Sequence, residues 1–177
     1  DTADEGAHPF TLTATSTGAA SAATATATIN DQGAGTIFND NGSENTTAPK
    51  DDDRKLSVAD ITVNEASPYA VFTVTGATGQ LVKLSLTAGT ATLVDGTPAT
   101  DGTEDFGPGL EYWNGTAWTT YAADSYVAIP AGGTTLLVRT AIVNDSVPDN
   151  NETFKLNASN TGGVAATGVA TIKDDGT

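Results

Sequence analysis

The chain has 177 residues, 22 acidic against 7 basic, giving a formal charge of −15, and 38% of its residues are hydrophobic. Such a charge argues against nucleic acid as a partner. The absence of Cys, with a single His, excludes disulfides, thiolate metal sites and a zinc site of His ligands. The length suits one mid-sized domain plus a fragment, no apolar run approaches the ~18 residues of a membrane span, and the start at Asp1 without a signal-peptide pattern reads as a soluble piece of something longer.

Residues 1–38 contain two strand-like runs and no Lys or Arg. They repeat the end of the chain. Without a gap, Asp1, Phe10, Leu12, Ala14, Thr17 and Gly18 fall on Asp145, Phe154, Leu156, Ala158, Thr161 and Gly162. After a one-residue gap, Ala27-Thr28-Ile29, Asp31 and Gly33 fall on Ala170-Thr171-Ile172, Asp174 and Gly176. Residues 1–38 therefore read as the last two strands of a unit of the same kind, in a tandem array cut inside a unit. Two strands cannot bury a core alone, so this piece must stay loosely ordered, pair with the intact domain, or complete another chain's sandwich.

Residues 39–54, polar and turn-rich, read as an acidic inter-domain linker. Asp40, Glu44, Asp51, Asp52 and Asp53 there have two readings: a calcium site stiffening the joint between units, or a solvated connector.

From 55 to 177, seven runs of strand length alternate in hydrophobicity: LSVADITVNE, YAVFTVTG, QLVKLSLTAG, LEYWNGTAWTTY, YVAIPAGGTTLLVRTAIV, ETFKLNAS and GVAATGVATI. Enrichment in β-branched and aromatic residues with frequent turn signals predicts an all-β, antiparallel, immunoglobulin-like sandwich of about seven strands. Asn114-Gly115 predicts a two-residue type I′ hairpin, and Pro130 with Gly132-Gly133 the next turn.

In a sandwich, loops cluster at two ends, so acidic residues far apart in sequence can meet there. Glu65, Asp105, Asn144, Asp145, Asp149, Glu152, Asp174 and Asp175 all lie at strand boundaries. Each like-charged pair at ~4 Å, with an effective dielectric near 20, costs on the order of 4 kcal/mol. A convergent cluster would splay, take up protons, or bind cations. Calcium suits it, accepting six to eight hard oxygens in loose geometry; the alternative is that these residues only cap strands and turns.

In order and spacing, TVNEAS, TEDF, IVNDSVPDNNETF and ATIKDDG resemble the acidic motifs of Calx-β domains and of the Calx-β-like tandem repeats of large RTX-type bacterial surface adhesins. The resemblance covers 55–177, and its last portion again 1–38. It implies Ca²⁺ ligation by Glu65, Asp105, Asp145, Asp149, Glu152, Asp174 and Asp175, with the Val147 carbonyl as a backbone ligand. Asn144 stands where a carboxylate is usual and Gly176 where a third terminal Asp often appears, which implies fewer ions or weaker binding. His8 occupies the position of Glu152 in the partial copy and reads as a surface residue rather than a ligand.

Tyr112, Trp113, Trp118 and Tyr121 flank one hairpin and could stack on a glycan, or pack in the core and across strands. No nucleophile elbow, phosphate loop or His-Glu metal motif is present, so no enzyme is expected. The expectation is a calcium-stabilised extender repeat, secreted to the bacterial cell surface, whose partners are neighbouring repeats of its own chain. The alternatives are a glycan- or protein-binding module and a filament subunit joined to other copies by strand addition.

Overall fold

The computed structural model describes residues 2–18, 21–94, 103–145, 147–148 and 150–174. Contacts divide the chain into two compact units, the first of residues 1–54 with 161–163, the second of 55–160 with 164–177. Every regular element among the described residues is a β-strand.

The first unit holds two small antiparallel sheets. One is the hairpin of β1 (Ala7–Ala14) and β2 (Ala23–Asn30); the other pairs β3 (Ile37–Phe38) with β4 (Glu44–Asn45). Residues 39–48 are held by their own hydrogen bonds: Asn39 N–H donates to the Ser43 carbonyl, and Asn45 Oδ1 accepts from Thr47 and Ala48 N–H. Local Asx-type capture of this sort gives a polar segment a definite course without a core.

The second unit contains β5 (Ser57–Val58), β6 (Ile61–Asn64), β7 (Tyr69–Thr75), β8 (Leu81–Ala88), β9 (Glu111–Trp113), β10 (Trp118–Thr120), β11 (Val127–Ala128), β12 (Thr135–Ala141), β13 (Glu152–Asn160) and β14 (Ala165–Lys173). Two five-stranded sheets form, in the orders β10-β9-β12-β7-β5 and β11-β8-β13-β14-β6. Strict alternation sets which side chains face inward. Ala70, Phe72 and Val74 of β7 and Leu136 and Val138 of β12 are buried from one sheet, and Phe154, Leu156 and Ala158 of β13 with Ala170 and Ile172 of β14 from the other. Phe154 joins the layers, edge-on to Phe72 with centroids 5.8 Å apart and stacked on Phe106 at 4.3 Å. This is the expected all-β sandwich.

Two features depart from the sequence expectation. The run Leu56–Glu65 is two strands, because it leaves one sheet after Val58 and joins the other at Ile61; arriving in this direction, β6 pairs parallel with β14. Gly168 lies where they cross, and a Cβ there would stand 2.7 Å from the Ala59 carbonyl oxygen. The β9–β10 turn is shifted by one residue from the predicted position: Asn114 N–H donates to the Ala117 carbonyl, and of the central residues Gly115 and Thr116 only Gly115 has positive φ. That is the pattern of a type II′ turn, with Asn114 Oδ1 accepting from Thr116 and Ala117 N–H. The turn at Pro130 forms as predicted, with Gly133 N–H on the Pro130 carbonyl.

The sequence repeat has a structural counterpart. In β1/β2, Phe10 faces Ala27, Leu12 faces Ala25 and His8 faces Ile29; in β13/β14, the repeat-equivalent Phe154 faces Ala170, Leu156 faces Gly168 and Glu152 faces Ile172. The two hairpins share one cross-strand register. They differ in burial: Phe154 and Leu156 are fully buried, whereas Phe10 is 54% and Leu12 67% exposed.

Candidate metal centre

Backbone pairing brings the second unit's acidic boundaries to one pole of the sandwich. The parallel register of β6 and β14 sets Asn64 beside Lys173, and Glu65 N–H donates to the Lys173 carbonyl, so Glu65 and Asp174 leave their strands as neighbours. The Asp105 carbonyl accepts from Val143 N–H, two residues before Asp145. Asn151 takes up positive φ at the entrance to β13, its N–H on the Ile172 carbonyl and its side-chain oxygen accepting from Lys173 Nζ. Asn tolerates that conformation better than most residues, which accounts locally for the amide-rich stretch before Glu152.

The centre is built on Glu65, 4% exposed. Its Oε1 accepts from Asp145 N–H at 2.7 Å, and Asp145 Oδ1 accepts in turn from Val147 N–H at 2.6 Å. Burial, followed by a shared hydrogen bond with the Asp174 carboxyl and the charges of Asp174 and Asp145, pushes the Glu65 carboxyl above its ordinary range; the Asp145 amide only partly opposes this. Asp145 Oδ2 is buried without a hydrogen-bond partner among the described residues. Glu65 is thus the point to which Asp145, through its amide, and Asp174, through its carboxyl, are coupled.

The remaining predicted ligands are placed differently. Asp105 is buried, but its Oδ2 is taken by Thr92 N–H at 2.5 Å. Glu152 opens β13 opposite Ile172 and is half-buried, Val147 is half-buried, and Asn144 is exposed. Asp149 and Asp175 lie outside the described residues. Among the described residues, no three His, Asp or Glu side chains are gathered at the spacing of metal ligands.

The donor set nevertheless fits one kind of ion. Glu65, Asp145 and Asp174 offer hard oxygens only, and among the described residues no donor satisfies the buried Asp145 Oδ2. Such a set suits Ca²⁺, which tolerates irregular geometry and completes its shell with carbonyls and water, better than Mg²⁺ or zinc.

In the first unit, Asp40 and Glu44 are exposed along the β3/β4 hairpin, and Asp52 pairs with Arg54 at 2.6 Å. Asp51 and Asp53 share a cleft with Glu5 and Asp31, which the sequence reading had not named as ligands. The repeat held the signal, since Asp31 aligns with Asp174.

The aromatic residues form no open row. Trp113 and Trp118 pair edge to face with centroids 5.7 Å apart, Arg139 lies 4.3 Å from the Trp118 ring and 3.8 Å from that of Tyr69, and Tyr121 is buried with its hydroxyl donating to the Ser125 carbonyl.

No family model and no curated protein matches the chain. Among solved structures it is similar to the apo-form Calx CBD1 domain, at 19% identity over 68% of this chain and 97% of that one, with a TM-score of 0.45. It is also similar to the Calx CBD2 domain (10% identity, 68% of this chain, 86% of that one, TM-score 0.43) and to the E. coli chaperone DraB (11% identity, 69% of this chain, 56% of that one, TM-score 0.39).

Proposed function

We propose that the chain is a calcium-stabilised structural repeat, an extender module of a bacterial extracellular adhesin or surface filament, without enzymatic activity. The observation that carries this reading is the meeting of Glu65, Asp145 and Asp174 at one pole, with Asp145 Oδ2 buried and unpartnered. The order of acidic motifs resembling Calx-β domains supports it, as does the shared register of the two hairpins, which is what a tandem array would produce.

In this reading Glu65, Asp145 and Asp174 hold the ion, and the sequence resemblance adds Asp105, Asn144, Val147, Asp149, Glu152 and Asp175 as further ligands. An ion that binds only the folded state stabilises it by RT ln(1 + [L]/Kd), about 2.7 kcal/mol at a hundredfold excess over Kd. Calorimetry tests this directly. Calcium should raise the melting temperature of the second unit reversibly, chelator should lower it, and Glu65→Gln with Asp145→Asn should abolish the difference. Melting curves that superimpose with calcium and with chelator would overturn the reading.

A second reading, strand addition between copies, is favoured by one observation: the β1/β2 hairpin exposes Phe10, Leu12 and Ile29 on one face. Nothing comparable favours a glycan surface, because the Trp118 ring is already engaged by Arg139 and Trp113.

A further inference from the structure

The pattern Asn-x-Ser/Thr, the acceptor motif for N-linked glycans, starts at Asn41, Asn45, Asn114, Asn151 and Asn157; a further match at Asn144 needs Ser146, which lies outside the described residues. The side-chain nitrogen takes the sugar, so an acceptor must be exposed with its Nδ2 free, and the hydroxyl two residues on must reach its Oδ1. Four of these positions fail one of the conditions. Asn157 lies within β13, its Nδ2 donating to Thr87 Oγ1 at 2.8 Å and its Oδ1 accepting from Thr167 Oγ1 at 2.9 Å. Asn151 Oδ1 is held by Lys173 Nζ, and the Thr153 hydroxyl lies against that of Thr90 instead. Asn114 Oδ1 accepts from the Thr116 hydroxyl at 2.9 Å, but its Nδ2 donates to Thr119 Oγ1 at 2.9 Å. Asn45 Oδ1 accepts from the Thr47 hydroxyl at 3.1 Å, but the residue is half-buried and its Nδ2 donates to Asn39 Oδ1 at 3.0 Å.

Asn41 meets all three. It stands exposed in the turn between β3 and β4, which is closed by Gly42 N–H on the Asn39 carbonyl and Asn39 N–H on the Ser43 carbonyl, both at 2.8 Å. Its Oδ1 accepts from the Ser43 hydroxyl at 2.7 Å and from Ser43 N–H at 3.0 Å, and among the described residues nothing takes its Nδ2. A Cβ placed on the adjoining Gly42 would meet nothing within 4 Å, so the turn faces open space. An amide nitrogen is a weak nucleophile because its lone pair is shared with the carbonyl. A hydroxyl donating to Oδ1 stabilises negative charge on that oxygen as the nitrogen loses a proton, the form in which the lone pair is free to attack.

We propose that Asn41 is an acceptor site for N-linked glycosylation, modified on the folded chain by a sequon-directed transferase with a nucleotide-activated hexose as donor. Nδ2 attacks the anomeric carbon, and the bond from that carbon to the diphosphate oxygen breaks. The nucleoside diphosphate leaves with the electron pair, and the Nδ2 proton passes to a base of the transferase. The site lies in the polar segment of the first unit, and its chemistry is independent of the metal centre built on Glu65.

The test incubates the full folded chain with UDP-glucose and a soluble asparagine N-glycosyltransferase, and peptide mapping by mass spectrometry gives the rate at each asparagine. Rates are normalised to those of synthetic peptides 37–46 and 110–119, on which the transferase is active. Asn41 should gain one hexose about tenfold faster than Asn114, the factor expected for breaking one hydrogen bond. Ser43→Ala, which keeps the asparagine and its exposure, should abolish the modification, and Ser43→Thr should retain it. Thr119→Ala, which frees Asn114 Nδ2, should bring Asn114 toward the rate of Asn41. The proposal is overturned if Asn41 stays unmodified in the folded chain, if Ser43→Ala reacts like the parent, or if Asn114 of the parent reacts as fast as Asn41.

Discussion

Glu65 is the residue on which the second unit's pole turns, and its environment has a consequence for pH. Its carboxyl is raised above the ordinary 4.5 chiefly by burial and then by Asp174. Below 4.5 it is protonated in folded and unfolded chains alike, and the fold keeps its full stability. As pH rises past 4.5 toward the raised folded value, the unfolded chain has released a proton that the folded chain retains, so stability falls; above the folded value the loss is complete. In chelator, the urea midpoint of the parent should therefore decline as pH rises above 4.5 more steeply than that of Glu65→Gln, which cannot ionise. Calcium, substituting for the proton, should flatten the difference. Parallel pH profiles for the two proteins in chelator would show that Glu65 is not the strained group.

Among elements, the paired hairpins offer a controlled comparison at Phe10 and Phe154, where residue type, strand position and the cross-strand Ala partner are the same while burial differs. Phe154, wedged between Phe72 and Phe106, should cost about 3–5 kcal/mol on truncation to Ala. Its repeat equivalent Phe10, half exposed, should cost no more than about 0.5 kcal/mol. Chemical denaturation of Phe154→Ala and Phe10→Ala reads both, and equal losses would mean that β1/β2 has a core of its own. This contrast also marks what was legible in the sequence. Alternation exposed the strands and the repeat exposed the two hairpins, since both are local patterns of side-chain type. The change of sheet within Leu56–Glu65 was not legible, because a lone Asp60 is a weak turn signal and the cross-over depends on Gly168 lying beneath it. The β9–β10 turn was found but displaced by one residue, since Asn114 serves better as a side-chain acceptor than as a residue of positive φ. For the pole, the positions of Glu65, Asp145 and Asp174 could be read from strand boundaries. The direction of each carboxylate could not, because it depends on which amide captures it: Thr92 for Asp105, Asp145 for Glu65.

At the scale of the whole molecule, two opposing properties meet. A charge of −15 repels one copy from another, while the β1/β2 sheet presents Phe10, Leu12 and Ile29 on one face and, among the described residues, pairs with no third strand. An apolar two-stranded sheet with open edges is the kind of surface that accepts a further strand or a second sheet. Repulsion between exposed charges is screened within about 10 Å at 0.1 M salt, and apolar contact is not. Self-association should therefore be absent at low ionic strength and grow with salt and with protein concentration, which sedimentation velocity across a dilution series would measure. Phe10→Ser with Leu12→Ser should suppress it while leaving the second unit's melting unchanged, since neither side chain is part of that core. Calcium acts on the same balance by a different route, neutralising carboxylates by binding rather than by screening, so at low salt it should promote association more than sodium at equal ionic strength. A chain that stays monomeric at high salt, with and without calcium, would exclude joining between copies through this hairpin and leave the repeat's partners within its own polypeptide.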